Sequence, residues 1–289
     1  MVTVNRAPIA SQSGHNTRMP ELPEVETTRR GIAAAVSGTT IETVVVREPR
    51  LRWRLTDDFA AALQGRRIRV VDRRAKYLLL RLDRGTLIVH LGMSGSLRVL
   101  SGATPPHKHD HIDIVLNDGQ CLRFNDPRRF GSMHFTAEDP ARHPLLRRLA
   151  PEPLSEAFNA EYLAGKARHR KVGIKQFIMN GNMVVGVGNI YANEALFRAG
   201  IRPHRSAGRL QRDDFKKLAA AIKTVLLAAI RSGGTTLRDY VGADGSPGYF
   251  RQKLFVYERT GAPCRKCKTP IKQRRTGQRS TYYCPTCQH

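Results

Sequence analysis

Two rhythms of apolar residues divide the chain. Between residues 41 and 135 they come in short runs: Ile41–Val46, Arg67–Asp72, Tyr77–Leu82, Thr86–Leu91, His111–Leu116, Gln120–Phe124 and Gly131–Phe135. Asp83-Arg84-Gly85 and Asn117-Asp118-Gly119 separate neighbouring runs with residues suited to tight turns. Runs of this length and spacing predict an antiparallel sandwich or barrel. Ahead of them, Glu24, Val25 and Glu26 through Ile32 to Val36 predict a helix opening at Pro23 with an acidic first turn and ending before Gly38. A short capped helix is expected between Thr56-Asp57-Asp58 and Gly65.

After Pro151-Glu152-Pro153, a linker by composition, the spacing becomes helical. Phe215, Leu218, Ala219, Ile222, Val225, Leu226, Ala229 and Ile230 mark one face of a helix from Asp213 to Ile230, with Gly233-Gly234 as its stop. Another helix, Asn189 to Arg198, ends at Gly200 and is entered through Val184-Val185-Gly186-Val187-Gly188. That turn either presents N–H groups to an anion or simply joins two helices closely. The GxGxxG nucleotide fingerprint is absent, so no nucleotide cofactor is expected. Residues 1–18 contain no Asp or Glu and no apolar h-region, and read as a disordered extension or an upstream start assigned in error. The expected class is α+β multidomain, divided at 1–18, 19–150, 151–250 and 251–289.

Charge narrows the partners. The 289 residues hold 49 Lys and Arg against 24 Asp and Glu, a formal +25, with hydrophobic residues at 40%. No run of apolar residues is long enough for a transmembrane helix. The positive charge is spread along the chain instead of lying on one amphipathic helix, which argues against a membrane surface. Nucleic acid is the leading partner.

Four of the five cysteines fall in Cys264-x2-Cys267-x16-Cys284-x2-Cys287. Each CxxC presents two thiolates from one turn, so the set predicts a closed, structural four-cysteine site for one Zn2+. Two disulfides would need an oxidising compartment, and no export signal is visible. Residues 251–289 also carry ten Lys and Arg against the single Glu258, which favours phosphate contact over protein contact. Cys121 stands alone in a strand pattern and reads as a core thiol.

Met19-Pro20-Glu21-Leu22-Pro23-Glu24-Val25-Glu26 resembles the amino terminus of the bacterial formamidopyrimidine-DNA glycosylase family. The resemblance continues through Arg74 to Leu80, His90 to Leu97, His109-Asp110-His111, Asp126 to Gly131, Val184 to Ala192 and Gly233 to Leu237, and ends in the four-cysteine finger. It implies an N-terminal β-sandwich with flanking helices, a helix-two-turn-helix domain and a zinc-finger hairpin. It further implies a monomer in the bacterial cytoplasm that grips damaged double-stranded DNA and everts the lesion. Implied substrates are 8-oxoguanine and formamidopyrimidines, with the abasic strand then cut by β,δ-elimination.

Residue roles follow from the same resemblance. Pro20, once N-terminal, would attack C1′ and hold the sugar as a Schiff base; an α-amine titrates near ~8 and so is partly neutral at physiological pH. Glu21 matches the general acid, with a pKa expected to be raised by burial. Lys76 matches the lysine that contacts lesion-side phosphates and assists proton transfer, and Arg279 the finger arginine of the δ step. His109, Arg128, Arg170 and Asn189 fall at DNA contacts, Arg170 standing where a lysine is usual. Met93, Arg128 and Phe130 match the wedge that fills the gap left by the everted base, although by residue type alone Met93 and Phe130 would be assigned to a core. Val241 to Gly248 matches the loop over the lesion. Two alternatives stay open: an endonuclease VIII-type enzyme for oxidised pyrimidines, and a non-catalytic zinc protein that binds damaged DNA.

Overall fold

The structure, a computed structural model, describes residues 20–234 and 254–289. After α1 (Leu22–Val36) come β1 (Ile41–Val46), α2 (Phe59–Leu63), β2 (Ile68–Arg74), β3 (Tyr77–Leu82) and β4 (Thr86–His90). Next are β5 (Ser96–Ser101), β6 (Asp110–Leu116), β7 (Gln120–Asn125) and β8 (Ser132–Thr136). They form two four-stranded antiparallel sheets, ordered β1-β6-β7-β5 and β2-β3-β4-β8. Ile41, Ile68, Leu78, Leu80, Ile112, Leu122 and Phe124 fill the core with Val25, Ile32 and Val36 of α1. Leu79 and Ile88 pack elsewhere, against Leu146. Strand β3 is thus covered on both faces, which is why Leu78-Leu79-Leu80 shows no alternation.

Strand β5 adds to the strands read from the sequence. It lies at a sheet edge and buries only Ser96 and Leu97. Its apolar signal is correspondingly weak.

The second half is helical: α3 (Ala160–Ala167), α4 (Ile174–Met179), α5 (Asn189–Ala199) and α6 (Arg212–Arg231), followed by the hairpin β9 (Lys272–Thr276) and β10 (Arg279–Tyr283). Helix α5 ends at Gly200 with φ +74°, a left-handed cap that glycine adopts without steric cost. One core joins Phe177, Tyr191, Leu196, Leu218, Ile222 and Leu226 to Cys264, Ile271, Tyr282 and Cys284 of the C-terminal segment. Leu22 of α1 belongs to this core too, so the start of the first helix plugs into the helical half.

Polar side chains complete the attachment of the C-terminal segment. The Glu194 carboxylate accepts the N–H groups of Phe255, Val256 and Tyr257 at 2.9–3.0 Å, and Asn193 Oδ1 accepts that of Tyr282 at 2.8 Å. Burial raises the pKa of Glu194 against the pull of those N–H groups. Among the described residues no helix is long and apolar enough to cross a membrane.

Candidate active site and DNA-facing rim

Glu21 lies at the junction of the two halves. Its side chain is 2% exposed, directly after the buried Pro20. Glu21 Oε2 accepts the Gly188 N–H at 2.6 Å and Oε1 the Ile190 N–H at 2.8 Å, so the carboxylate caps α5 from another part of the chain. A Cβ on Gly188 would sit 2.3 Å from Glu21 Cδ, and one on Gly186, at φ +78°, would sit 2.4 Å from Leu22 Cδ1. The glycine-rich turn is therefore a seat for Glu21 and Leu22, and its Gly188 N–H and the Ile190 N–H at the start of α5 are already taken by the chain's own carboxylate. Asn189 Oδ1 is buried there without a hydrogen-bond partner.

Burial raises the Glu21 pKa from 4.5 to about 7, the nearby Glu24 adding to it, while Lys76 and the N–H groups of Ile190 and Gly188 pull it down. Glu24 is the acidic first-turn residue of α1, yet it points inward. Its Oε2 accepts the Glu21 N–H at 2.9 Å, and its Oε1 accepts the Tyr191 hydroxyl at 2.6 Å.

Lys76 occupies the β2–β3 turn, entered through Ala75 at φ +55°. Glu152 clamps that turn: its carboxylate accepts the Ala75 N–H at 2.6 Å, Arg73 at 2.7 Å and Arg74 at 2.9 Å. The stretch read as a linker thus anchors the hairpin. Ala75 packs against Val185 of the glycine-rich turn, which brings Lys76 up to Glu21. Burial lowers the Lys76 pKa, Arg279 reinforcing the shift and Glu21 and Glu24 opposing it. Arg279 itself is exposed at the start of β10.

The rim beyond this group is built from two loops. Met93 lies between β4 and β5, and Arg128 and Phe130 between β7 and β8. The Arg128 guanidinium sits 5.0 Å from the Phe130 ring centroid, and Phe130 is 43% exposed, so it is no core residue. Met93 is half-buried. His109 reaches the same rim through its carbonyl, which accepts the Asp126 N–H at 3.0 Å. Arg170 stands apart, exposed on the helical half with its carbonyl tied to Gly208 at 2.9 Å.

In the C-terminal segment the four sulfurs of Cys264, Cys267, Cys284 and Cys287 lie within 4.8 Å of one another. The Cys264–Cys287 and Cys267–Cys284 pairs are 3.9 and 3.4 Å apart, too far for disulfides at ~2.05 Å. They bracket the ~3.8 Å that a tetrahedral ion with Zn–S bonds of ~2.3 Å requires. The donor set fits one structural Zn2+ and leaves no ligand position open. Cys121 is a buried free thiol, its pKa pushed up to about 11, chiefly by burial.

Three family models match the chain in order. They are the formamidopyrimidine-DNA glycosylase N-terminal domain over residues 19–133, the H2TH domain of the same enzymes over 149–241, and a zinc finger found in FPG and IleRS over 261–289. The formamidopyrimidine-DNA glycosylase of Marinobacter nauticus is 58% identical over 270 residues, covering 93% of this chain and all of the relative. The chain belongs to the formamidopyrimidine-DNA glycosylase family. That of Methylococcus capsulatus is 57% identical with the same coverage. Among solved structures, the MutM (FPG) protein of Thermus thermophilus superposes with a TM-score of 0.84 at 42% identity, covering 93% of this chain and 98% of that one. A Lactococcus lactis FPG mutant in complex with Fapy-dG-containing DNA gives 0.87 at 33% identity, covering 93% and 99%.

Within this family frame the structure adds residues that sequence reading passed over. Lys175 of α4 is 1% exposed and donates to the Ser280 carbonyl and the Thr281 hydroxyl, both at 2.8 Å. Its pKa falls to about 7, through burial first and Arg279 second. His90 is half-buried beside Tyr77, with its pKa driven to about 4 by desolvation and then by Lys76. Neutral, it accepts the Gly92 N–H through Nδ1 at 3.0 Å. His90 ends the apolar run Leu87-Ile88-Val89 and Lys175 lies beside Ile174, and only the fold shows which groups surround them. Residues 1–18 and the loop 241–248 lie outside the described residues.

Proposed function

We propose that this protein excises 8-oxoguanine and formamidopyrimidines from duplex DNA and then cuts the abasic strand by β,δ-elimination. The carrying observation is the Glu21 carboxyl, enclosed beside Pro20 and titrating at about 7. Such a group holds its proton near neutrality and can still release it, as a general acid must.

In this reading the Pro20 nitrogen bonds to C1′ as the bond from C1′ to the damaged base breaks. Glu21 then protonates the ring oxygen, and the sugar opens to an iminium on Pro20. The iminium acidifies the C2′ proton, whose removal expels the 3′ phosphate; a second elimination expels the 5′ phosphate. Lys76 and Arg279 neutralise the flanking phosphates and assist these proton transfers. Lys76 is suited to exchange a proton because burial has lowered its pKa. Met93, Arg128 and Phe130 fill the vacated stack, while His109, Arg170 and Asn189 take DNA backbone contacts. The zinc-bearing finger holds Arg279 in place. The protein acts as a monomer in the bacterial cytoplasm, without a nucleotide cofactor.

The test is borohydride trapping on an 8-oxoguanine duplex. A proline nitrogen inside a peptide bond is no nucleophile, so the form beginning at Pro20 traps and a form retaining residues 1–19, verified by mass, does not. Equal trapping by both would overturn Pro20 as nucleophile, and no trapping by either would favour a non-catalytic binder. One observation favours a second substrate class: a Lactococcus lactis FPG complexed with oxidised-pyrimidine DNA superposes with a TM-score of 0.86. Parallel assays on a thymine glycol duplex separate the two, with faster cleavage of 8-oxoguanine expected.

A further inference from the structure

The side chains assigned to the wedge come from two separate loops, and one enclosed carboxylate ties those loops together. Asp126 follows the end of β7 and is 0% exposed. Its Oδ1 accepts the Ser94 hydroxyl at 2.6 Å and its Oδ2 accepts the Gly131 N–H at 2.7 Å. Its carbonyl accepts the Arg129 N–H at 3.1 Å and lies 2.9 Å from His111 Nε2. Ser94 Oγ in turn accepts the Arg128 N–H at 3.1 Å. The carboxylate therefore reaches the residue after Met93, the residue after Phe130 and, through Ser94, the backbone of Arg128.

The two loops are also pressed backbone to backbone. A Cβ on Gly92 would fall 2.4 Å from both the Phe130 carbonyl carbon and the Gly131 nitrogen. Enclosing a carboxylate is costly unless donors surround it, and here the donors come from both loops. Rigid placement of side chains on loops needs such a supporting contact, because a site loosened by about 1 Å stops working.

We propose that Asp126, with Ser94 as its relay, is a positioning residue for base eversion that holds Met93, Arg128 and Phe130 as a single wedge. The proposal rests on the wedge reading of those three side chains. Everting an intact nucleotide requires unstacking and unpairing, which a rigid wedge offsets. A preformed abasic site has no base to unstack, so its cleavage depends far less on the wedge. A general folding defect would lower both activities alike, which makes their ratio the informative readout.

The experiment compares Ser94→Ala, Asp126→Asn, Met93→Ala and Phe130→Ala in single-turnover assays on an 8-oxoguanine duplex and on a preformed abasic duplex. Ser94→Ala and Asp126→Asn are expected to slow excision about tenfold or more, the scale of one lost hydrogen bond to a charged group. Abasic cleavage should fall by no more than about twofold. Equal losses on both substrates would overturn the proposal. Full excision by Ser94→Ala and Asp126→Asn, with Met93→Ala or Phe130→Ala impaired, would also overturn it while leaving the wedge reading intact. Full excision by Met93→Ala and Phe130→Ala would remove the wedge reading, and the proposal with it. Should Asp126→Asn not fold, Ser94→Ala, which removes a single hydroxyl, decides.

Discussion

The Glu21 carboxyl is pulled in opposite directions by its surroundings, and burial wins. Two backbone N–H groups and Lys76 favour the charged form, yet the pKa rises from 4.5 to about 7. Between those values the folded state binds more protons than the unfolded chain, so this residue's contribution to stability falls as pH rises through that window. A shift of this size corresponds to roughly 3 kcal/mol. Glu21→Gln removes the titration while keeping an acceptor for the α5 N-terminus. The variant should match the parent at pH 4.5, grow progressively more stable relative to it up to pH 7, and hold that margin above. Excision should drop by about 10²-fold or more through loss of the proposed general acid. Chemical denaturation across this pH range checks the first point, and a stability gap that ignores pH would refute it. The identity of Glu21 was legible in its motif, but its environment was not. What encloses it is the turn at Gly186–Gly188, far away in sequence, and no local pattern reports such a pairing.

Elements place these side chains, and legibility at this scale follows packing. The strands that bury whole faces announced themselves, whereas edge strand β5 and the six-residue α4 bury too little or run too briefly to do so. Asn193 and Glu194 look like a solvated stretch of α5, yet both are buried because they hold the backbone of the C-terminal segment. The β2–β3 hairpin depends on a similar long-range contact, through Glu152. Glu152→Ala would strand the Ala75 N–H and leave Arg73 with only part of its partners. A cost of about 2 kcal/mol is expected, as the pair is only partly buried. Because Lys76 rides on that hairpin, single-turnover excision should slow while zinc content stays at one per chain. Thermal melting, zinc analysis and kinetics on one sample distinguish this from general unfolding; an unchanged rate would mean that the clamp does not position Lys76.

At the scale of the molecule, two cores meet at α1, and the zinc finger shares one of them. Cys264, Ile271, Tyr282 and Cys284 pack with the helices, so zinc loss cannot stay confined to residues 251–289. Cys264→Ser should unfold the finger and raise hydrogen exchange in α5, whose Asn193 and Glu194 lose their partners, while the sandwich, with its separate core, keeps its protection. Faster exchange throughout β6 and β7 would contradict that independence. The same view of the whole chain accounts for its charge. Glu26, Asp113 and Glu152 are paired with arginines inside the protein, and the formal +25 is the excess that remains after every Asp and Glu has been counted. Such an excess is self-repulsive and persists where it meets an opposite field. On duplex DNA, several Lys and Arg would displace condensed counterions, making log affinity fall linearly with log salt. A loss of about 10³-fold or more between about 50 and 200 mM salt is expected for a protein that neutralises several phosphates. Arg170→Ala should reduce that slope by about 1, the loss expected for one phosphate contact. Arg30→Ala, whose guanidinium pairs with Glu26 on α1, serves as the control and should leave the slope unchanged. A nearly flat titration of the parent protein would mean that the positive charge serves a purpose other than holding DNA.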